Sequence, residues 1–180
     1  MRRIWFALRH ILAILLLPGM VTIAVPSWIL SSRPAAWPPA GPFRIALALA
    51  GIGMAGCGLA LMVVTIRSFA LIGRGTLAPW DPPQHLVVRG VYRHVRNPMI
   101  SGVVLILLGE AMAFRSLPLL EWALTFLAFN AIHFPLIEEP GLERRFGEEY
   151  RQYKQHVPRW IPRRTAWTPP WAGDTEPGSS

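Results

Sequence analysis

Four runs of nearly unbroken apolar residues, 11–30, 43–66, 99–114 and 117–137, constrain this chain more than any other feature. An α-helix rises about 1.5 Å per residue, so about twenty residues cross a hydrocarbon core about 30 Å thick. The run over 99–114 is short for a perpendicular span and reaches one only through its flanking residues. Lipid offers no partner to a free peptide group, so such runs must be helical. With 180 residues, 52% of them hydrophobic and 16% charged, the reading is one all-α polytopic membrane domain over 1–164, with about four transmembrane helices and a cytosolic C-terminal amphipathic helix.

The formal charge of +8 would suit nucleic acid if the cations formed one face of a soluble domain. Here the arginines flank the apolar runs, as in membrane proteins under the positive-inside bias, and the reading excludes a nucleic-acid partner. Fifteen of the eighteen Lys and Arg residues fall in the amino end, in 67–96 and after Ile137, leaving Arg33, Arg44 and Arg115 on the other side. Both termini are therefore expected to be cytoplasmic. The amino end has the charged start of a signal peptide but no small-residue cleavage site after its apolar run, so it reads as a retained span. The lone Cys57 allows no intrachain disulfide and, inside an apolar run, reads as a buried small hydrophobe.

Pro18 and Pro26 predict a kinked first span, with a neighbouring helix packed where the prolines leave carbonyls unpaired. Pro34, Pro38, Pro39 and Pro42 make the next connection stiff, and most of 67–96, broken by Gly73, Gly75 and the Pro79–Pro83 run, reads as an ordered loop or short helical turns. Gly51, Gly53, Gly56 and Gly58 place small residues on more than one face of the second span, a pattern of close helix packing in membranes. Arg115-Ser116-Leu117-Pro118 reads as the tight turn of a helical hairpin. Glu139-Pro140 reads as a helix start, followed by a Leu142, Phe146, Tyr150 and Tyr153 stripe at helical spacing. Arg144 with Glu148 and Arg145 with Glu149 are candidate four-apart ion pairs. The tail from Thr165 is expected to be disordered.

Two polar clusters stand out. Glu138 and Glu139 end the last apolar run, where a carboxylate is costly unless a partner offsets its desolvation; a helix-start cap is an equally good reading from the residues alone. Tyr92, Arg96, Asn97 and Pro98 precede the third run, where Asn97 can cap the helix and free amides can seat a carboxylate. Asn130 and His133 lie three apart on one face of the fourth run. Glu110 and Glu121 read as interfacial. No Cys/His spacing for a metal, no phosphate-binding glycine loop and no Ser-His-Asp order is present in the sequence.

The chain reads Gly90-Val-Tyr92-Arg-His-Val-Arg96-Asn97-Pro98, then the hairpin, then Glu138-Glu139 and Phe146-Gly147-Glu-Glu-Tyr150-Arg-Gln-Tyr153-Lys-Gln-His-Val157-Pro158. In order and spacing this resembles the isoprenylcysteine carboxyl methyltransferase and phospholipid methyltransferase superfamily of integral membrane enzymes, over roughly 84–162. The resemblance implies S-adenosylmethionine as cofactor, held by Gln84, His85, Leu86, Val87, Tyr92, Arg96, Asn97, Pro98, Met99, Ile100, Glu138 and Glu139. It implies that Arg96 and Arg144 or Arg145 order the acidic groups. The catalytic residue stays unassigned, with His133, Asn130, Arg144 and Arg145 as candidates; from the residues alone, a lone histidine in an apolar run such as His133 is more often a structural hydrogen-bonder. The resemblance also implies a lipophilic acceptor (an isoprenylcysteine-like carboxylate, a phospholipid amine or another small hydrophobic molecule), and no metal. Asn97 stands where the family carries histidine, which removes a titratable group. Phe134 stands where the prenylcysteine enzymes carry an arginine for the substrate carboxylate. A non-catalytic scaffold or a small-solute permeability protein on the same fold is the alternative reading.

Overall fold

The computed structural model describes residues 15–32, 42–68 and 86–173. Expectations for 1–14, 33–41, 69–85 and 174–180, including Gln84 and His85, lie outside the described residues. A π-helical stretch, Leu15–Ala24, runs into α1 (Val25–Ser32), followed by α2 (Pro42–Ser68), a 3-10 turn (Gly90–Arg93) and α3 (Pro98–Phe114). Next, α4 (Leu117–His133) passes through a π turn (Phe134–Glu138) into α5 (Glu139–His156), and a short 3-10 turn closes at Pro170–Gly173. All regular structure among the described residues is helical, as the apolar runs require.

Two stretches, Phe43–Ser68 and the continuous Leu117–His156, are long and apolar enough to cross a membrane, while α3 is a shorter apolar helix. Large apolar side chains point outward along them: Ile45, Leu49 and Ile52 on α2, Phe129 and Ile132 on α4. An exposed apolar surface of that extent marks a surface for lipid rather than water. Cys57, expected to be buried, is on this outer surface instead. The interior holds Met62, Val103, Ile106, Leu107 and Ala123, with Val21, Trp122 and Phe126 packed against them.

The α2–α3 interface explains which of the small residues matter. A Cβ added at Gly51 would come within 2.5 Å of Gly109 O, and one at Gly58 within 2.5 Å of Gly102 O. Seven residues separate the contacts on each helix, and they pair in antiparallel order, so two turns of both backbones touch at matching heights. Gly53 and Gly56 meet nothing within 4 Å. They lie on the other face, so the mixture of small residues resolves into one packed seam and one open side.

At Pro26 a neighbouring helix packs as expected, whereas the carbonyls a turn before Pro18 lie outside the described residues. Pro26 has no N–H for the carbonyls a turn before it. There Trp122 of α4 donates its indole N–H to Val21 O at 3.1 Å, while Thr22 Oγ1 donates to Pro18 O at 2.8 Å. The hairpin turn is also as read: α3 ends at Arg115 in the left-handed region (φ 52°, ψ 45°), and Ser116 Oγ accepts from Leu119 N to open α4. Of the two candidate ion pairs on α5, neither forms among the described residues. Glu148 is met by Arg151 at 3.4 Å, and Arg145 lies over the Phe146 ring. The cause is Gly147 (φ 56°, ψ −126°), a non-helical residue that breaks the four-apart register between them.

Substituting Gly58→Ala or Gly102→Ala forces the two backbones apart and is expected to destabilise by about 1–3 kcal/mol, the usual cost of overpacking. Gly53→Ala should be neutral or stabilise by up to about 1 kcal/mol through helix propensity. Thermal unfolding of the detergent-solubilised variants checks both; equal effects would show that the seam does not bear on Gly58.

Candidate functional site

The segment before α3 is shaped by two backbone constraints. Gly90 adopts φ 55°, which a side chain would disfavour, and so starts the 3-10 turn that buries Tyr92. Asn97 precedes a proline and is held out of the helical region (φ −119°, ψ 57°), while Pro98 opens α3 where no N–H is needed. The backbone carbonyl of Asn97 accepts from Ser101 N and Ser101 Oγ, both at 3.1 Å. The expected side-chain cap does not form. At that φ/ψ the residue is not in the extended conformation of a capping residue. Asn97 is instead 8% exposed with its Nδ2 donor buried and without a partner.

Tyr92 is fixed from two sides. Its hydroxyl is hydrogen-bonded to Thr65, a fully buried residue of α2. Its carbonyl accepts from Tyr153 Oη of α5 at 2.7 Å. Burial, reinforced by the neighbouring Tyr153, pushes the Tyr92 phenol well above its ordinary value. Burial raises Tyr153 as well and takes Tyr150 up to about 12. These phenols are therefore neutral hydrogen-bonding groups at physiological pH.

The two polar clusters meet at Glu139. Its carboxylate, 2% exposed, takes Arg96 Nη1 at 2.9 Å and Arg159 Nε at 2.7 Å on Oε1, with Lys154 Nζ 3.6 Å from Oε2. Arg96 also donates through Nε to Val157 O at 2.8 Å. Burial alone would raise the carboxyl, but the Arg159 hydrogen bond and the charges of Arg96, Arg159 and Lys154 outweigh it and hold the group below the usual carboxylate range. Glu138, one residue earlier, is exposed.

The chain after α5 returns along the same segment. Arg96 N donates to Pro158 O at 2.9 Å and Asn97 N to Arg159 O at 3.3 Å. Further along, Arg163 N donates to His94 O and Trp167 N to Arg93 O, each at 3.0 Å. Arg93 also donates to Trp167 O and to Thr168 Oγ1. Trp167 stacks on His156 with centroids 5.1 Å apart. The disorder expected from Thr165 therefore does not hold for 165–173, because backbone pairing and ring contacts tie Trp167 down.

The remaining candidates are more scattered. Leu86 packs on the Val88, Tyr150, Tyr153 and Val157 cluster, Val87 is buried, and Met99 and Ile100 are half-buried in the first turn of α3. Asn130 is buried but gives its amide to Phe126 O of its own helix at 2.8 Å, and His133 stacks on Phe129. Arg144 is exposed and donates to Pro140 O rather than to an acidic group, and Arg145 is exposed. A depression of about 380 Å³ lined by Pro140, Glu143, Arg144 and Arg151 shares no residue with the Glu139 cluster. Of the two carboxylates read as interfacial, Glu121 is exposed and Glu110 is half-buried with one carboxylate oxygen unpaired. Arg159 and Lys154 were not foreseen; single cations in a basic tail carry no spacing that singles them out.

Removing one partner of a buried ion pair typically costs about 3–5 kcal/mol, so Glu139→Gln should destabilise strongly and Glu138→Gln hardly at all. Because the folded Glu139 carboxyl lies below its unfolded value near 4.3, its stabilisation is complete above that pH and is lost as pH falls through the folded pKa. Unfolding midpoints measured from neutral pH down to about pH 3 should therefore converge for the wild type and Glu139→Gln.

The sequence pattern of phospholipid methyltransferases matches residues 46–149, more than half of the chain, from the second turn of α2 to Glu149 in α5. Protein-S-isoprenylcysteine O-methyltransferase B of Arabidopsis thaliana is 33% identical over 78 residues, which cover 43% of this chain and 39% of that protein. No solved structure matches. The matched region contains the Gly90–Pro98 segment, the hairpin and Glu138-Glu139, the parts that the fold brings together, and on that ground the chain belongs to the phospholipid methyltransferase family, within the superfamily that includes the isoprenylcysteine methyltransferases.

Proposed function

We propose that this protein is a membrane-embedded methyltransferase that uses S-adenosylmethionine and methylates a lipophilic acceptor reaching the site from the bilayer. The observation that carries the reading is the buried, unpartnered Nδ2 of Asn97 at the start of α3, set in a cluster that Arg96 and Glu139 close. A buried donor without an acceptor costs about 1–3 kcal/mol, and an acidic ligand at that helix start relieves it. The residues present therefore fit the amino-acid end of the cofactor.

Bound S-adenosylmethionine supplies an electrophilic methyl group on a sulfonium. Asn97 and the first-turn amides of Met99 and Ile100 would hold its carboxylate, with Pro98 fixing the turn. Glu138 would accept from its ammonium or hydroxyl groups, and Leu86, Val87 and Tyr92 would form the wall beside them; Gln84 and His85 belong to the same segment. Arg96, Glu139 and Arg159 set the distance between the two halves rather than touching the reacting atoms. The reaction then depends on alignment of an acceptor nucleophile and exclusion of water, both of which a lipid-buried wall favours. Asn130 and His133 lie above Glu138 on α4 and would face the acceptor. Phe134 is no partner for an acceptor carboxylate, which favours a neutral or amine-bearing lipophile. Arg144 and Arg145, both exposed, become less suited to the chemistry.

The topology that goes with this reading has four spans, the two long apolar helices joined by α3 and by the apolar run over 11–30, with both termini and the site on the cytoplasmic face. Binding of isotope-labelled S-adenosylmethionine to purified protein in detergent tests the proposal. Glu138→Ala and Asn97→Leu should each weaken binding about tenfold or more, as for a lost hydrogen bond to a charged group, while Glu110→Ala should leave it unchanged. Equal losses in all three, or no binding by the wild type at millimolar cofactor, would sink it. Mass spectrometry of lipids from cells with and without the gene would identify the acceptor as a species heavier by one CH₂.

A further inference from the structure

The loop that follows the Glu139 network carries a feature that neither the fold core nor the candidate site uses. Residues 160–164 read Trp-Ile-Pro-Arg-Arg. The Trp160 ring meets Phe134 edge-on with centroids 6.2 Å apart, which sets the loop at the level of the last apolar turns of the Leu117–His156 helix. Two and three residues beyond Phe134 on that helix, Leu136 is 70% and Ile137 60% exposed, and Ile161 is 79% exposed, the highest value of any large apolar residue described. Arg164 is exposed, while Arg163 holds the loop in place by donating to His156 O at 2.9 Å. The loop's base is rigid, since Arg159 is tied to Glu139 and Arg163 N to His94 O.

An isoleucine held out from a rigid base is unfavourable in water. Here it follows a tryptophan that is packed on Phe134 at the end of an apolar helix, and cations come soon after it in the chain. Tryptophan prefers the level of the lipid headgroups, and basic residues at that level attract anionic headgroups. We propose that residues 160–164 form an interfacial wedge, with Trp160 and Ile161 seated at the boundary between acyl chains and headgroups and Arg164 on an anionic phospholipid headgroup. Because the same loop is bonded to Asn97 and Arg96 through Arg159 and Pro158, the wedge holds the start of α3 at a fixed depth. This does not depend on the methyl-transfer reading, since it requires only that the long apolar helices lie in a bilayer.

Spin labels test it on the full chain in nanodiscs, in a Cys57→Ala background with single cysteines at Ile161→Cys, Ile137→Cys and Gln155→Cys. Ile137 and Gln155, both exposed, serve as the lipid and water references. The label at 161 should be relaxed more by oxygen than by a water-soluble nickel chelate, with a ratio close to that at 137 and several-fold above that at 155. The ratio should rise further when phosphatidylglycerol replaces part of the phosphatidylcholine, and Arg164→Gln should abolish that rise. A ratio equal to that at 155 would overturn the wedge. Shielding from both reagents would also overturn it, by pointing to a second copy of the chain as the cover. A ratio indifferent to lipid charge would overturn the headgroup contact. None of these readouts uses cofactor or turnover, so failure here is distinguishable from failure of the proposed activity.

Discussion

A single buried carboxylate, Glu139, is where the structure is closed. Three cations from three parts of the chain converge on it: Arg96 ahead of α3, Lys154 near the end of α5, and Arg159 in the returning tail. An ion group removed from water is costly unless its hydrogen-bonding positions are filled, and the guanidinium of Arg96 fills its own by reaching Val157 O as well. The geometry therefore has one low-energy arrangement, with the Gly90–Pro98 segment pressed against the last helix. Without that closure, Tyr153 would have no reason to donate to Tyr92 O, and the tail would have no ladder to pair with.

The closure needs the ends of α3 and α4 at one level, which the membrane-buried part of the fold provides. The glycine seam sets α2 against α3 at backbone contact, and Thr65, one turn of helix beyond Met62 in that seam, meets Tyr92 at its end. The hairpin turn at Arg115 and Ser116 then returns the chain as α4, which carries Glu139 back to the height of Arg96. Packing within the apolar region and ion pairing at its edge therefore constrain the same distance from two directions.

Much of this was legible in the residues because it follows from strong local rules. Apolar run length gave the helices, Arg115-Ser116-Leu117-Pro118 the hairpin, and the Leu142 to Tyr153 spacing the stripe that packs on Val88. What could not be read depended on contacts distant in sequence. Nothing in Arg159 distinguishes it from Arg163 or Arg164 until the tail is seen to fold back. The tail's composition gives no sign that Trp167 will stack on His156. The glycines of α2 looked alike, and only the position of α3 separates Gly58 from Gly56. Gly147 was hidden in the same way: a helical spacing over Arg144 to Glu149 predicts ion pairs, and one positive-φ residue cancels them.

The paired glutamates show how one helix end can serve two purposes. Consecutive residues on a helix are turned by about 100°, so two neighbouring side chains cannot face the same partner. Glu139 is turned inward, with Oε1 shared by Arg96 and Arg159 and Oε2 facing Lys154 at 3.6 Å, so its charge is fixed in the closure. Glu138 is turned outward at the end of a π turn, where the wider winding carries the helix from the apolar region into the polar one. A carboxylate at that position is free to change partners. One helix end thus carries, within a single peptide unit, a fixed charge that holds the protein closed and a second charge that faces outward.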